Sequence, residues 1–110
     1  MDIIKSGGYK ISALVIERHL LSHENIADVA VVGLPDLTWG QKVAAIIVLR
    51  DPSSELTLSE LRSWAKDKLA PYELPSLLKV IAAMPTNVMG KVNKKQLLET
   101  VLAKEYKGDL

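Results

Sequence analysis

The apolar run Val43-Ala44-Ala45-Ile46-Ile47-Val48-Leu49 lies near the middle of the sequence, and the other predicted elements surround it. An unbroken apolar run of this length is typical of a strand that is buried on both faces. The stretch Val29-Ala30-Val31-Val32 predicts a second strand, and a polar loop with Pro35, Trp39 and Gly40 separates the two strands. We therefore expect a small sheet that is covered by helices.

The stretch before these strands predicts a β-hairpin followed by a helix. Ile3-Ile4 and Tyr9-Lys10-Ile11 flank Gly7-Gly8, and paired glycines supply the positive φ angles of a tight hairpin turn. A turn with no binding role explains the two glycines equally well. Ser12 is expected to cap the helix, whose apolar side recurs at helical spacing: Ala13, Ile16 and Leu20, widened by Leu14 and Leu21.

The second half of the chain predicts a helix, a third strand and a last helix. Thr57 and Glu60 form a capping-box pattern, and Pro71 stops the helix that they begin. Residues 77–83 predict the third strand, and Asn93 is expected to cap the last helix. The predicted fold class is α+β: a small three-stranded sheet with flanking helices, preceded by a short β-hairpin.

Length and composition limit the possible functions. The 110 residues fit one domain, and the net charge of +1 gives no basic surface that would draw the chain to nucleic acid. The absence of cysteine excludes disulfides and thiolate catalysis. The longest apolar run is too short to span a bilayer, so we predict no membrane insertion. His19 and His23 have no third ligand nearby, and we predict no metal site.

The loop Asn87-Val88-Met89-Gly90-Lys91 is the candidate for chemistry. Gly90 allows a sharp turn, and the Lys91 ammonium suits phosphate or carboxylate oxygens. A surface turn with a solvated lysine explains the same residues, and spacing alone favours that interpretation. A phosphate-binding P-loop is excluded, because Pro85 and Val92 stand where that motif requires Gly and Ser or Thr.

Four stretches together resemble motifs of the acyl-CoA synthetases, members of the adenylate-forming (AMP-binding) superfamily that also includes luciferases and peptide-synthetase adenylation domains. They match in order and spacing along nearly the whole chain. The likeness is greatest to the malonyl-CoA synthetase-like branch, judging by Trp39-Gly40-Gln41 and by the residues that follow Met89. The four stretches are residues 2–12, 35–42, 69–75 and 85–95.

The resemblance implies a reaction in two steps. A carboxylic acid attacks the α-phosphate of ATP to give acyl-AMP and pyrophosphate, and the thiol of CoA then displaces AMP. Residues 1–110 correspond to the small, mobile C-terminal domain of such an enzyme. ATP, Mg²⁺ and the acid are held by a large N-terminal domain that this chain lacks. The implied partners are therefore its own N-terminal adenylation domain, ATP, CoA and a carboxylic acid, and the chain alone is expected to be inactive.

The resemblance also implies roles for particular residues. Lys91 corresponds to the catalytic lysine of adenylation, and Asn87 and Gly90 support its loop. Leu74 and Ser76 stand where some relatives have basic residues for the CoA phosphates, and Lys10, Lys66 or Lys68 are candidates to replace them. The implied CoA-binding residues are Gly7 and Gly8 beside the pantetheine arm, Tyr9 and Lys10 along the channel or near the phosphates, and Trp39 and Tyr72 at the adenine.

Two other interpretations remain open. The chain is alternatively a non-catalytic module that binds RNA or a carrier protein, with Tyr9 and Trp39 as stacking residues, although its balanced charge argues against RNA. It is otherwise a regulatory or structural fragment that retains only the fold, with Trp39 packed onto the core. Relatives in the implied branch suggest a mitochondrial or a cytoplasmic location.

Overall fold

The computed structural model describes residues 2–86 and 89–103. Asn87, predicted to support the Lys91 loop, lies outside these residues, as does the tail of residues 104–110. The predicted α+β class is confirmed. Within the described residues the elements are β1 (Ile3–Ser6), β2 (Tyr9–Ser12), α1 (Ala13–Leu20), β3 (Ile26–Asp36), β4 (Gly40–Leu49), α2 (Leu58–Ala65), a 3₁₀ turn (Pro71–Glu73), β5 (Leu77–Val80) and α3 (Lys94–Glu99).

The sheet is built around β4, which carries the predicted apolar run. β3 pairs antiparallel with β4 along its whole length, from Ile26 opposite Leu49 to Asp36 opposite Gly40. β5 pairs parallel with residues 44–47 of β4. β1 also meets β4, where Ser6 lies opposite Gly40. The hairpin is therefore continuous with the other strands in one five-stranded sheet, in the order β2-β1-β4-β3 with β5 beside β4.

Both faces of β4 are buried, as its sequence predicts. Val43, Ala45 and Ile47 face a core cluster that includes apolar residues of α1 and α2. Ala44 and Ile46 face a second cluster on the opposite side of the sheet, which includes Leu97 of α3 and Leu102. Alternate side chains of a strand point to opposite faces, so β4 holds the three layers together. Burial of this apolar area is the main favourable term in folding.

The predicted loop between β3 and β4 is a tight turn in the structure. The Asp36 carboxylate accepts hydrogen bonds from the backbone N–H of Thr38 (3.1 Å) and of Trp39 (2.9 Å), and Gly40 has a φ of +82°. Pro35 belongs to β3 rather than to the loop. Because β3 is at the edge of the sheet, a residue without an N–H is tolerated there.

The predicted hairpin turn and helix starts are confirmed. Gly7 and Gly8 have φ angles of +55° and +87°. Ser12 accepts a hydrogen bond from Val15 N–H at 3.3 Å. Thr57 and Glu60 form both bonds of the capping box, and the hydrogen bond from Thr57 N–H lowers the pKa of the Glu60 carboxyl. The Asn93 side chain likewise accepts from Gln96 N–H at 3.0 Å.

Two elements end earlier than their apolar patterns suggest. α2 ends at Ala65, and the turn after it still places Leu69 in the core through a hydrogen bond from Leu69 N–H to Ala65 O of 3.0 Å. β5 ends at Val80, which pairs with Ile47, and the backbone N–H of Ile81 donates to Ile47 O at 2.9 Å just beyond the strand. Apolar side chains thus continue for a few residues beyond the regular hydrogen bonding.

Candidate functional site

A groove of about 370 Å³ opens beside β4, between the hairpin and β5. β1 meets β4 at Gly40, and β5 begins to pair only at Ala44. The edge of β4 between these points is left uncovered by a strand. Four of the residues predicted to bind CoA line this groove, namely Gly7, Tyr9, Trp39 and Tyr72.

Trp39 lies against the hairpin turn. The residue is 58% exposed, so it does not pack into the core. A Cβ atom at Gly7 would stand 3.0 Å from Trp39 Cε3 and 3.2 Å from Cζ3, and Gly7 N–H donates to Trp39 O at 3.0 Å. Glycine at position 7 therefore allows both the positive φ angle of the turn and the close approach of the indole ring. A Cβ at Gly8 would meet nothing within 4 Å.

Tyr9 and Tyr72 stack on each other at the mouth of the groove. Their ring centroids are 3.9 Å apart and the rings are 4° from parallel. Tyr9 is 51% and Tyr72 is 45% exposed. The stack joins the hairpin to the 3₁₀ turn, whose start is held by a hydrogen bond from Ala70 N–H to Glu73 Oε1 of 2.8 Å. One ring face of Tyr72, predicted to lie at the adenine, is thus covered by Tyr9.

The lysines suggested as phosphate ligands lie elsewhere on the surface. Lys10 is exposed on β2, and Lys66 is the exposed C-cap of α2. Lys68 Nζ lies 4.3 Å from the centre of the Trp64 ring. It also donates to Asp67 at 3.3 Å, and this bond lowers the pKa of the Asp67 carboxyl. None of the three lysines is among the described residues that line the groove.

The groove instead contains two cations to which the sequence analysis assigned no role, Lys42 and Arg62. Arg62 donates to the carbonyl of Pro75 at 2.6 Å. Lys42 is half-buried on β4, where it pairs with Leu34 of β3, and its side chain forms no hydrogen bond or ion pair with another residue of 2–86 and 89–103. One signal was available in the sequence, because Lys42 is the charged residue immediately before the apolar run of β4. Arg62 offered none, since only the fold brings α2 to the groove.

The Lys91 loop is a second and separate feature. Its base is closed by a bridge between Thr86 and Val92. Gly90 has a φ of +80°, and a Cβ there would meet nothing within 4 Å. Lys91 is exposed. The described residues of this loop do not line the groove, so the chain presents a lysine and a stacking groove on different parts of its surface.

The groove has the chemistry of a binding surface. Aromatic rings can stack on a planar ring system, and Lys42 and Arg62 can pair with phosphate oxygens. In the described part of the chain, no group of three or more His, Cys, Asp or Glu side chains could hold a metal ion. Among the same residues, no helix is long and apolar enough to cross a membrane.

The structure is a small α+β domain with a groove lined by aromatic rings and two cations, and with a lysine loop that lies outside this groove. The profile of the family described as AMP-binding enzyme C-terminal domain matches residues 15–91. These residues are more than half of the chain, and the chain belongs to this family.

Malonate–CoA ligases are among the curated relatives. The mitochondrial enzyme of Xenopus laevis is 60% identical over 98 residues, which are 89% of this chain and 17% of the relative. The enzyme of Arabidopsis thaliana is 47% identical over 109 residues, which cover 91% of this chain and 18% of the relative. The chain thus spans less than a fifth of the length of these relatives.

Solved structures agree with the fold. Apo MatB of Rhodopseudomonas palustris is 28% identical with a TM-score of 0.84, over 90% of this chain and 20% of that one. A fatty acyl-CoA synthetase of Mycobacterium tuberculosis is 34% identical with a TM-score of 0.83, over 94% of this chain and 20% of that one. In both cases this chain corresponds to a small part of a much longer one.

Proposed function

We propose that residues 1–110 are the mobile C-terminal domain of an AMP-forming acid–CoA ligase, and that a large N-terminal adenylation domain completes the enzyme. The observation that carries this proposal is the separation of the Lys91 loop from the aromatic groove. A domain with two such surfaces suits an enzyme that performs two different steps. The small share of each relative that the chain covers supports the same division.

Lys91 serves the first step in this proposal. The carboxylate of the acid attacks the α-phosphorus of ATP, and the bond to the leaving pyrophosphate breaks. Both reactants are anions, so a cation between them holds them together and stabilises the charge that develops at phosphorus. Gly90, which has a φ of +80° and where a Cβ would meet nothing within 4 Å, forms the turn that carries this cation. ATP, Mg²⁺ and the acid are held by the N-terminal domain.

The groove serves the second step. The CoA sulfur attacks the acyl carbonyl, and AMP leaves. Trp39 and Tyr72 provide ring faces for the adenine. Gly8, where a Cβ would meet nothing within 4 Å, leaves room for the pantetheine arm beside the groove, whereas the indole of Trp39 occupies the corresponding space at Gly7. Tyr9 flanks this path, and Lys10 lies further along the hairpin. The domain rotates between the steps, so that Lys91 faces the α-phosphorus in the first step and the groove faces the acyl carbon in the second.

We also propose that the acid is malonate and that the protein is mitochondrial. The support for both comes from relatives: the Xenopus laevis and Arabidopsis thaliana enzymes are named malonate–CoA ligases, and the first is named mitochondrial. A cytoplasmic location is the alternative. The acid-binding residues lie in the N-terminal domain, so assays of the complete enzyme with malonate, methylmalonate and acetate test the choice of acid.

The decisive experiment replaces Lys91 in the complete enzyme. Lys91→Ala should lower ATP–pyrophosphate exchange by about 10²-fold or more, because it removes a preorganised charge contact. Release of AMP by CoA from supplied acyl-AMP should persist. Lys95→Ala is the matched control, since Lys95 is an exposed lysine a few residues away on α3. Unchanged exchange in Lys91→Ala would reject the proposed role.

A further inference from the structure

Lys94, the first residue of α3, forms two short ion pairs. Its Nζ lies 2.8 Å from Asp2 Oδ2 and 2.8 Å from Glu17 Oε2. The Lys94 side chain is 25% exposed and that of Glu17 is 15% exposed. A pair that is largely shielded from water is less weakened by salt than a fully exposed one. Removal of one partner leaves the other charge poorly solvated.

These contacts join three parts of the fold at the outer edge of the sheet. The same Glu17 oxygen accepts a hydrogen bond of 2.8 Å from Val31 N–H of the edge strand β3. α1 and α3 pack on opposite faces of the sheet. The Lys94–Glu17 ion pair therefore connects the two helices across this edge. Asp2 immediately precedes β1, and its carbonyl accepts from Ala13 N–H at 2.9 Å.

The position of Lys94 in the chain relates this network to Lys91. Val92 pairs with Thr86 at the base of the loop, and Asn93 caps α3. The next residue is Lys94. Only Val92 and Asn93 separate Lys94 from Lys91, and both are held by these contacts, so a shift of the α3 start would be passed to the Lys91 backbone.

We propose that Lys94 is a positioning residue for adenylation. It fixes the C-terminal side of the Lys91 loop to Asp2, through which the domain connects to whatever precedes it, and to Glu17 of the rigid core. This inference rests on the proposed role of Lys91. Lys91 then keeps a fixed orientation relative to Asp2 when the domain moves. The groove is built from other elements and does not depend on Lys94.

The test is Lys94→Met in the complete enzyme, with Lys95→Met as the matched control. Methionine keeps an unbranched chain and removes the charge. Misplacement of a reacting group by about 1 Å can cost about 10²-fold in rate, so we expect a ten- to hundredfold lower kcat for ATP–pyrophosphate exchange, on the order of this effect. KM for ATP and the rate of AMP release from supplied acyl-AMP should stay near wild type. Lys95→Met should change neither rate.

Two further variants separate positioning from general stability. Lys94→Arg keeps a cation within reach of both carboxylates and should restore most of the exchange rate. Glu17→Gln keeps an acceptor for Val31 N–H and removes the charge, so it should lower exchange. Because the two residues act through one contact, the double variant Lys94→Met with Glu17→Gln should be no slower than the slower single variant.

The outcomes distinguish this inference from the proposed function. Equal losses in both half-reactions, accompanied by a lower Tm, would show a merely structural role and overturn the inference. Wild-type exchange in Lys94→Met would overturn it as well, and neither result would affect Lys91. If Lys91→Ala itself retains exchange, the proposed function fails, and this inference fails with it.

Discussion

Gly7 and Trp39 show how single residues shape the groove. The indole ring lies on a glycine that has no Cβ to hold it away, and the backbone of the turn bonds to the tryptophan carbonyl. Any side chain at position 7 would crowd the ring, and the φ of +55° would be unfavourable for any residue other than glycine. The orientation of Trp39 therefore depends on its neighbour in space as much as on its own packing.

Lys42 is the residue whose role the structure changes most. Its side chain lies in the groove and forms no hydrogen bond or ion pair among the described residues, whereas Lys10 is not among the residues that line the groove. Lys42→Met should raise KM for CoA about tenfold, the scale of one ionic contact to a charged group. KM for pantetheine, which has no phosphates, should be unchanged. Lys10→Met is the matched control, and a larger effect on CoA from Lys10 than from Lys42 would contradict this assignment.

Among the elements, α1 has an incomplete N-terminus. Ser12 accepts the hydrogen bond from Val15 N–H. The apolar Val15 side chain cannot accept a hydrogen bond from Ser12 N–H, whereas Glu60 accepts one from Thr57 N–H. Ser12 lies opposite Ile3 in the hairpin, and the bond to β1 is made by the next N–H, that of Ala13, to Asp2 O. The Ser12 N–H is thus directed away from β1 and accessible to a side chain at position 15.

Val15→Glu should complete the capping box and stabilise the domain. Val15 is exposed, so little packing is lost. The expected gain is about 0.5–1 kcal/mol in the free energy of unfolding, measured by urea denaturation. Leu14→Glu is the control, because it adds the same charge at an exposed neighbouring position that cannot reach the cap. If both substitutions raise the free energy of unfolding equally, the gain comes from the added charge and not from the capping box.

The elements were predictable wherever the signal is local. The run from Val43 to Leu49, the paired glycines of the hairpin and the caps at Thr57 and Asn93 each depend on a few adjacent residues. Contacts that only the fold creates were not predictable. The Tyr9–Tyr72 stack, the approach of Arg62 to the groove and the Lys94–Glu17 pair all join residues far apart in sequence. Many arrangements of the same elements are compatible with one sequence pattern, so only the assembled sheet selects these contacts.

At the scale of the whole molecule, the chain has the core that a self-sufficient domain requires. Apolar clusters cover both faces of the sheet, and the radius of gyration is 13.3 Å, close to the roughly 13 Å expected of a compact domain of this length. The proposed reaction nevertheless has three substrates, and the proposal assigns only the Lys91 loop and the aromatic groove of this chain to it. Folding and activity are therefore expected to separate in the isolated chain.

The isolated chain should fold cooperatively and form no acyl-CoA. Its core does not depend on another domain, so circular dichroism should show a single thermal transition. Catalysis needs the acid, ATP and Lys91 held within bonding distance of one another, and a lysine that is free to diffuse relative to the other reactants loses this advantage. The measurement is acyl-CoA formation from malonate, ATP and CoA, with the complete enzyme as the positive control. Activity that co-elutes with the pure chain in gel filtration, and is lost in Lys91→Ala, would contradict the division of the enzyme into two domains.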